Sequence, residues 1–110
     1  MRPNAGNGAN LSSYNWTQTL NDCEIKIPLG KLVNGKIKGK DLTINILKKK
    51  LTAGLKNQTP IIKGDLYNEI KEEDSYWTLD NNVVSIFLEK VNQQEWWGSI
   101  CKGDKSITNF

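Results

Sequence analysis

Leu42-Thr43-Ile44-Asn45-Ile46-Leu47-Lys48-Lys49-Lys50-Leu51-Thr52-Ala53-Gly54-Leu55 reads as two strands joined by a turn. Leu42, Ile44 and Ile46 fall on one face and Thr43 and Asn45 on the other, the period of two that a half-buried strand imposes. Leu51, Ala53 and Leu55 repeat the pattern beyond Lys48, Lys49 and Lys50, which form a solvated turn. Working outward, the same period holds almost everywhere. Tyr14, Trp16, Gln18 and Leu20 alternate with Asn15, Thr17 and Thr19; Ile25, Ile27 and Leu29 alternate with Lys26 and Pro28, the proline marking an edge or a strand end. Ile61, Ile62, Leu66 and Tyr67 flank Gly64 and Asp65, Trp77 and Leu79 follow, and Val84, Ile86 and Leu88 form the last strong strand. Turn chemistry separates these runs at Asn34-Gly35, Gly39-Lys40 and Asp80-Asn81-Asn82. Residues 69–76, the nearest thing to a helix, carry too few apolar side chains for a helical stripe. The pattern predicts an all-β chain, a compact antiparallel β-sandwich of seven to eight strands. Its inward set is Trp16, Ile25, Ile27, Leu42, Ile44, Ile46, Leu51, Leu55, Trp77, Leu79, Val84, Ile86 and Leu88.

With 110 residues and 12.4 kDa the chain has room for one core. Residues 1–13, rich in Asn, Gly and Ser, read as a flexible lead-in, 14–101 as the domain and 102–110 as a tail. No window approaches the roughly 18 apolar residues of a membrane-spanning helix. The N-terminus also lacks the layout of a secretory signal, so we expect a cytoplasmic chain. In that setting Cys23 and Cys101, which form no CxxC, are free thiols, and the sequons at Asn10, Asn15 and Asn57 are chance.

The absences narrow the chemistry. There is no histidine, which removes the commonest general base, the usual Ser and Cys triads and the imidazole ligands of zinc. Gly35-Lys36-Ile37-Lys38-Gly39-Lys40-Asp41 has one residue too few between its glycines for a phosphate-binding loop, and Asp41 stands where a magnesium-holding hydroxyl belongs, so it reads as a hairpin turn. We expect no enzyme and no cofactor. Charge is asymmetric: residues 1–63 carry 11 of the 15 basic side chains against three of the 12 acids, and residues 64–110 the other four against nine. All the bases but Arg2 are lysines, and no aromatics interleave with the lysine run, which argues against nucleic-acid binding.

Several motifs in fixed order make the chain recognisable. Pro3-Asn4 and Gly6-Asn7-Gly8-Ala9 lead to Tyr14-Asn15-Trp16-Thr17-Gln18-Thr19-Leu20. Ile61-Ile62-Lys63-Gly64-Asp65-Leu66-Tyr67-Asn68-Glu69-Ile70-Lys71 leads to Glu73-Asp74-Ser75 and Trp77, and then come Val83-Val84, Leu88-Glu89-Lys90-Val91-Asn92 and Glu95-Trp96-Trp97. From about residue 3 to about residue 101 the chain resembles the CS domain of the NudC family of nuclear-movement proteins. The resemblance implies the sandwich fold of heat-shock protein 90 co-chaperones and small heat-shock proteins, and co-chaperone or holdase action without ATP hydrolysis. The partners it implies are unfolded clients, a heat-shock protein 90-type chaperone or a dynein-associated scaffold in nuclear migration and cell division. Family members carry a dimerising coiled coil before the CS domain and helical sequence after it. We therefore expect an excised, monomeric domain whose full-length parent dimerises.

Four residues are candidates for protein binding: Trp96, Trp97, Tyr67 and Glu69. In an extended segment, Trp96 and Trp97 point to opposite sides. Either one is an exposed aromatic anchor for a partner or client, or one plugs the sandwich while the other packs under the C-terminal segment. Trp16 and Trp77 alternate within strands and belong to the core. Tyr67 reads as a half-buried strand or turn residue. Asp65, Glu69, Glu72, Glu73 and Asp74 form a solvated acidic loop, a docking face for a basic partner, with the lysines as a face for an acidic one.

Overall fold

Residues 2–104, the part of the chain that the computed structural model describes, hold eight strands and two one-turn 3-10 helices. The strands are β1 (Ala9–Asn10), β2 (Asn15–Gln18), β3 (Asp22–Pro28), β4 (Leu42–Ile46), β5 (Lys50–Leu55), β6 (Ile62–Asp65), β7 (Tyr76–Asp80) and β8 (Val83–Glu89). All pairings are antiparallel, in a five-stranded sheet of order β1-β2-β3-β8-β7 and a three-stranded sheet of order β4-β5-β6. The expected all-β sandwich is the observed fold. The lysine turn is where the alternation placed it, closed by Leu47 N–H donating to the Lys50 carbonyl at 2.9 Å.

Register explains the core. Trp16 lies opposite Ile25, Ile25 opposite Ile86, and Ile27 opposite Val84. The inner face of the large sheet is therefore a continuous apolar surface, covered by Leu42, Leu51, Ala53 and Leu55 of the small one. Ile44, Ile46, Trp77 and Leu79 point inward as expected but stay half-buried. They sit on β4 and β7, each an edge strand of its sheet, where no further strand flanks them on one side. Leu20 departs from its predicted alternation: β2 ends at Gln18, and the Thr19 hydroxyl pairing with Asp22 turns the chain so that Leu20 faces solvent.

Residues 1–13, read as a lead-in, hold one short strand. Ala9 and Asn10 form β1, and Asn4 organises the approach to it. Its side-chain oxygen accepts from the Gly6 and Gly8 N–H groups at 2.9 and 3.0 Å, and its amide donates to the Trp16 carbonyl at 3.0 Å. A Cβ on Gly8 would lie 2.0 Å from that carbonyl oxygen, so only glycine allows the two backbones to come this close. A polar side chain saturating backbone donors needs no apolar anchor. At the other end, Lys102 N–H donates to the Asp65 carbonyl, and the Tyr14 hydroxyl donates to Asp104, tying the start of the expected tail to the sandwich. Met1 and the rest of that tail, residues 105–110, lie outside the described residues.

A correction concerns residues 35–41. They form no hairpin, because β3 and β4 belong to different sheets and the segment must cross between them. Gly39–Asp41 is a 3-10 turn leading into β4, and the Asn82 side chain clamps the loop by accepting from Ile37 N–H and donating to the Gly35 carbonyl. In residues 69–76, the only helix is the single turn Glu72–Asp74.

Candidate functional site

Four segments meet at one end of the sandwich: the β2–β3 turn, the lysine turn, residues 66–72 after β6, and residues 90–97 after β8. Backbone hydrogen bonds sew them together, with Lys90 N–H to the Asn21 carbonyl at 2.8 Å, Ile70 N–H to Lys48 at 2.9 Å, and Val91 N–H to Glu69 at 3.2 Å.

The two tryptophans take different roles here. Trp97 is 0% exposed. Its N–H donates to Gln18 Oε1 at 2.9 Å and its carbonyl accepts from Gln18 Nε2 at 2.8 Å, so a single buried glutamine on β2 grips its backbone from both sides. The ring of half-buried Tyr67 stacks on Trp97, with centroids 5.7 Å apart. Trp96 stays half-buried on the other side of the segment. Of the two readings of this pair, the plug is Trp97, and Trp96 keeps part of its ring accessible.

Between them lies a residue the sequence reading passed over. Lys90 is 0% exposed, and its ammonium donates to Gln18 Oε1 at 2.8 Å, the Thr19 carbonyl at 2.8 Å and the Glu95 carbonyl at 3.0 Å. Those three contacts use all its donors. The Nζ also sits 5.6 Å from the Trp96 ring centroid and 5.9 Å from that of Trp97, within cation–π range of both. Burial lowers the lysine pKa, and the coulombic pull of Cys23, Asp22 and Glu95, each acting when ionised, opposes that shift. A signal for Lys90 existed: Val84, Ile86, Leu88 and Lys90 share one phase of the period, so the strand carries the lysine inward.

Glu69 joins the two charged halves of the chain. Its carboxylate lies 3.3 Å from Lys49 and 3.7 Å from Lys48, and the neighbouring Glu72 accepts from Lys48 N–H at 3.0 Å. Acidic loop and lysine turn partly neutralise each other. Asn68 donates to Glu95 at 2.7 Å, linking the Tyr67 segment to the Trp96 segment. Tyr67 and Trp97 are thus in contact, Trp96 joins them through Lys90, and Glu69 faces the lysine turn. Three apolar side chains stand exposed on these same segments: Leu20 (41%), Leu47 (50%) and Val91 (47%).

The buried thiols give this fold a pH signature. Burial pushes Cys23 from 9.0 up to about 12, against the pull of Lys90, and Cys101 from 9.0 up to about 11. The stability each supports is whole below pH 9.0, where both states keep the thiol proton, and is lost as pH rises through the folded values. Lys90 has the opposite sign, since its lowered pKa makes the folded state gain as its ammonium deprotonates below the unfolded value. Two thiols outweigh one lysine. Urea unfolding from neutral pH to about pH 10.5 is expected to show stability falling above pH 9, by up to about 1.4 kcal/mol per pH unit for each titrating thiol. A Cys23→Ala/Cys101→Ala variant should show a shallower slope, and an unchanged slope would remove the thiols as its source.

Comparison with known proteins matches this architecture. The CS domain family model covers residues 12–90. The nuclear migration protein nudC of Drosophila melanogaster is 47% identical over 109 residues, which are 98% of this chain and 32% of that protein. This chain therefore spans about a third of the fly relative's length. The solved CS domain of human KIAA1068 protein superposes with a TM-score of 0.81 at 27% identity, covering 99% of this chain and 88% of that one. Heat shock protein 16.0 of Schizosaccharomyces pombe, at 13% identity and a TM-score of 0.52 over 92% of this chain and all of that one, shares the fold.

Proposed function

The chain belongs to the CS-domain family, with NudC nuclear-movement proteins among its relatives, and from that premise we propose that it is a non-catalytic co-chaperone module that holds apolar segments of unfolded client proteins. The observation that carries this reading is the aromatic end, where Leu20, Leu47 and Val91 stand exposed and Trp96 is half-exposed on a frame locked by Gln18 and Lys90. A rigid anchor loses little conformational entropy on binding, so apolar contact converts efficiently into affinity. Capture needs no bond making and no nucleotide. A heat-shock protein 90-type chaperone is the partner to which such a client would pass. The two buried free thiols suit a reducing cytoplasm.

Light scattering from a thermally unfolding model protein, in ATP-free buffer, tests this reading. The domain should suppress aggregation near stoichiometric ratios, and Trp96→Ala should weaken that suppression several-fold. Leu32→Ala should leave it intact, because Leu32, although 61% exposed, lies at the opposite end. Equal effects from the two variants would remove the aromatic end as the client site.

The fly relative's name, nuclear migration protein, favours a second reading, an adaptor for folded, dynein-associated scaffold proteins. Preference for one folded partner over denatured clients distinguishes it.

A further inference from the structure

Beside the aromatic end a groove of about 320 Å³ opens where β5 begins and β6 ends, lined by Lys49, Lys50, Leu66, Tyr67, Glu69 and Lys102 among others. Its walls are held in place by backbone hydrogen bonds: Leu66 N–H to the Lys49 carbonyl, Tyr67 N–H to Ile100 and Lys102 N–H to Asp65, each at 2.8 Å. Leu66 is buried beneath it, and the Tyr67 ring is fixed from below by its stack on Trp97. The groove is preformed.

Its charge is unbalanced in a specific way. Glu69 is already shared by Lys48 and Lys49. Lys50 lies opposite Asp65 in the β5–β6 register, and Lys63 follows two residues back on the same outward face of β6. Among the described residues, Lys50, Lys63 and Lys102 form no ion pair. Two uncommitted cations of the groove lining, Lys50 and Lys102, therefore flank a half-buried aromatic ring.

We propose that this groove docks an extended acidic segment of a partner protein, its carboxylates reaching Lys50 and Lys102 and an apolar side chain between them resting on Tyr67. A nucleic-acid backbone suits the site less well. The cations are lysines rather than bidentate arginines, and Asp65 and Glu69 interrupt them, which spaced carboxylates tolerate better than a continuous run of phosphates. The proposal rests on the reading of the chain as a protein-binding module but not on its holdase activity, because none of Leu20, Leu47, Val91 and Trp96 lines the groove.

Fluorescence anisotropy with a labelled peptide, Glu and Asp residues around a central Phe, tests it. Affinity should fall at least about 10-fold as ionic strength rises from about 0.01 to about 0.15 M and the screening length shrinks from about 30 to about 8 Å. Lys50→Glu/Lys102→Glu should lose at least about 10-fold at low salt, and Lys50→Gln/Lys102→Gln a smaller but measurable factor. Lys31→Glu/Lys36→Glu, which makes the same change in net charge at the far end of the sandwich, should bind like the parent. Equal losses from both charge-reversed pairs would reduce the effect to net charge and overturn the proposal. So would binding of a peptide with Lys in place of its acids, or equal or tighter binding of a single-stranded oligonucleotide of the same charge. Aggregation suppression measured on the same proteins separates the two surfaces. If suppression is absent while peptide binding follows the lysines, the holdase reading fails and the groove stands; if suppression follows Trp96 while the peptide ignores the lysines, the groove fails and the holdase reading stands.

Discussion

Lys90→Met is expected to lower the unfolding free energy by about 3 kcal/mol, in spite of a similar side-chain length and a more apolar character. Methionine would relieve the desolvation of a buried ammonium, which by itself stabilises. It would also strand the Thr19 and Glu95 carbonyls, which accept from Nζ at 2.8 and 3.0 Å, and take from Gln18 Oε1 one of its two donors. Hydrogen bonds to a charged group are worth about 1.5–3 kcal/mol each, and three are lost here, so the loss exceeds the relief. The two cation–π contacts disappear with the charge. In a domain this size the change corresponds to a fall in melting temperature of roughly 10–20 °C. Thermal unfolding followed by tryptophan fluorescence reads it directly. Lys90→Arg should not rescue the loss, because a planar guanidinium cannot aim its donors at three oxygens arranged around a compact ammonium. A Lys90→Met protein as stable as the parent would mean that the three acceptors find water and that the lysine does not hold the end together.

This expectation bears on what could be read before folding was known. The period of two located β2 to β5, β7 and β8, because each has one buried face and each register shift would turn that face outward. It could not locate β1, whose two residues bury only Ala9 and whose position depends on Asn4 capping backbone groups. Hydropathy carries no trace of such a polar network. Lys90 is the instructive conflict: its phase, continued from β8, pointed inward while its residue type pointed outward. The phase prevailed because Gln18 and two carbonyls were waiting. At the site, the split between Trp96 and Trp97 followed from extended geometry alone. Which of them goes inside did not, since it is decided by Gln18, 79 positions away in the chain. Glu69 was legible as a charged candidate, but its pairing with Lys48 and Lys49 required the fold to bring the two halves together.

The tryptophan pair gives the largest contrast expected from adjacent positions. Trp97→Ala removes a fully buried indole together with the surface on which Tyr67 stacks, and truncations of this kind cost about 3–5 kcal/mol. Trp96→Ala removes a half-buried ring and one cation–π contact, with an expected cost nearer 1 kcal/mol. Trp97→Phe provides the control for chemistry as opposed to volume. The Trp97 indole N–H is buried with no acceptor among the described residues, so replacing it with a carbon ring forfeits no hydrogen bond and removes an unpaired donor. Its cost should therefore stay well below that of alanine. Denaturant unfolding of the three variants should rank them Trp97→Ala far below the parent, with Trp97→Phe and Trp96→Ala both close to it. Client binding should rank them differently, with Trp97→Phe near the parent and Trp96→Ala impaired while still folded. If stability and binding instead fall together across all three, the aromatic end acts as core alone, and apolar capture must occur elsewhere on the sandwich. If they separate, one segment uses its two tryptophans for two purposes: Trp97 fixes the backbone from which Trp96 is presented.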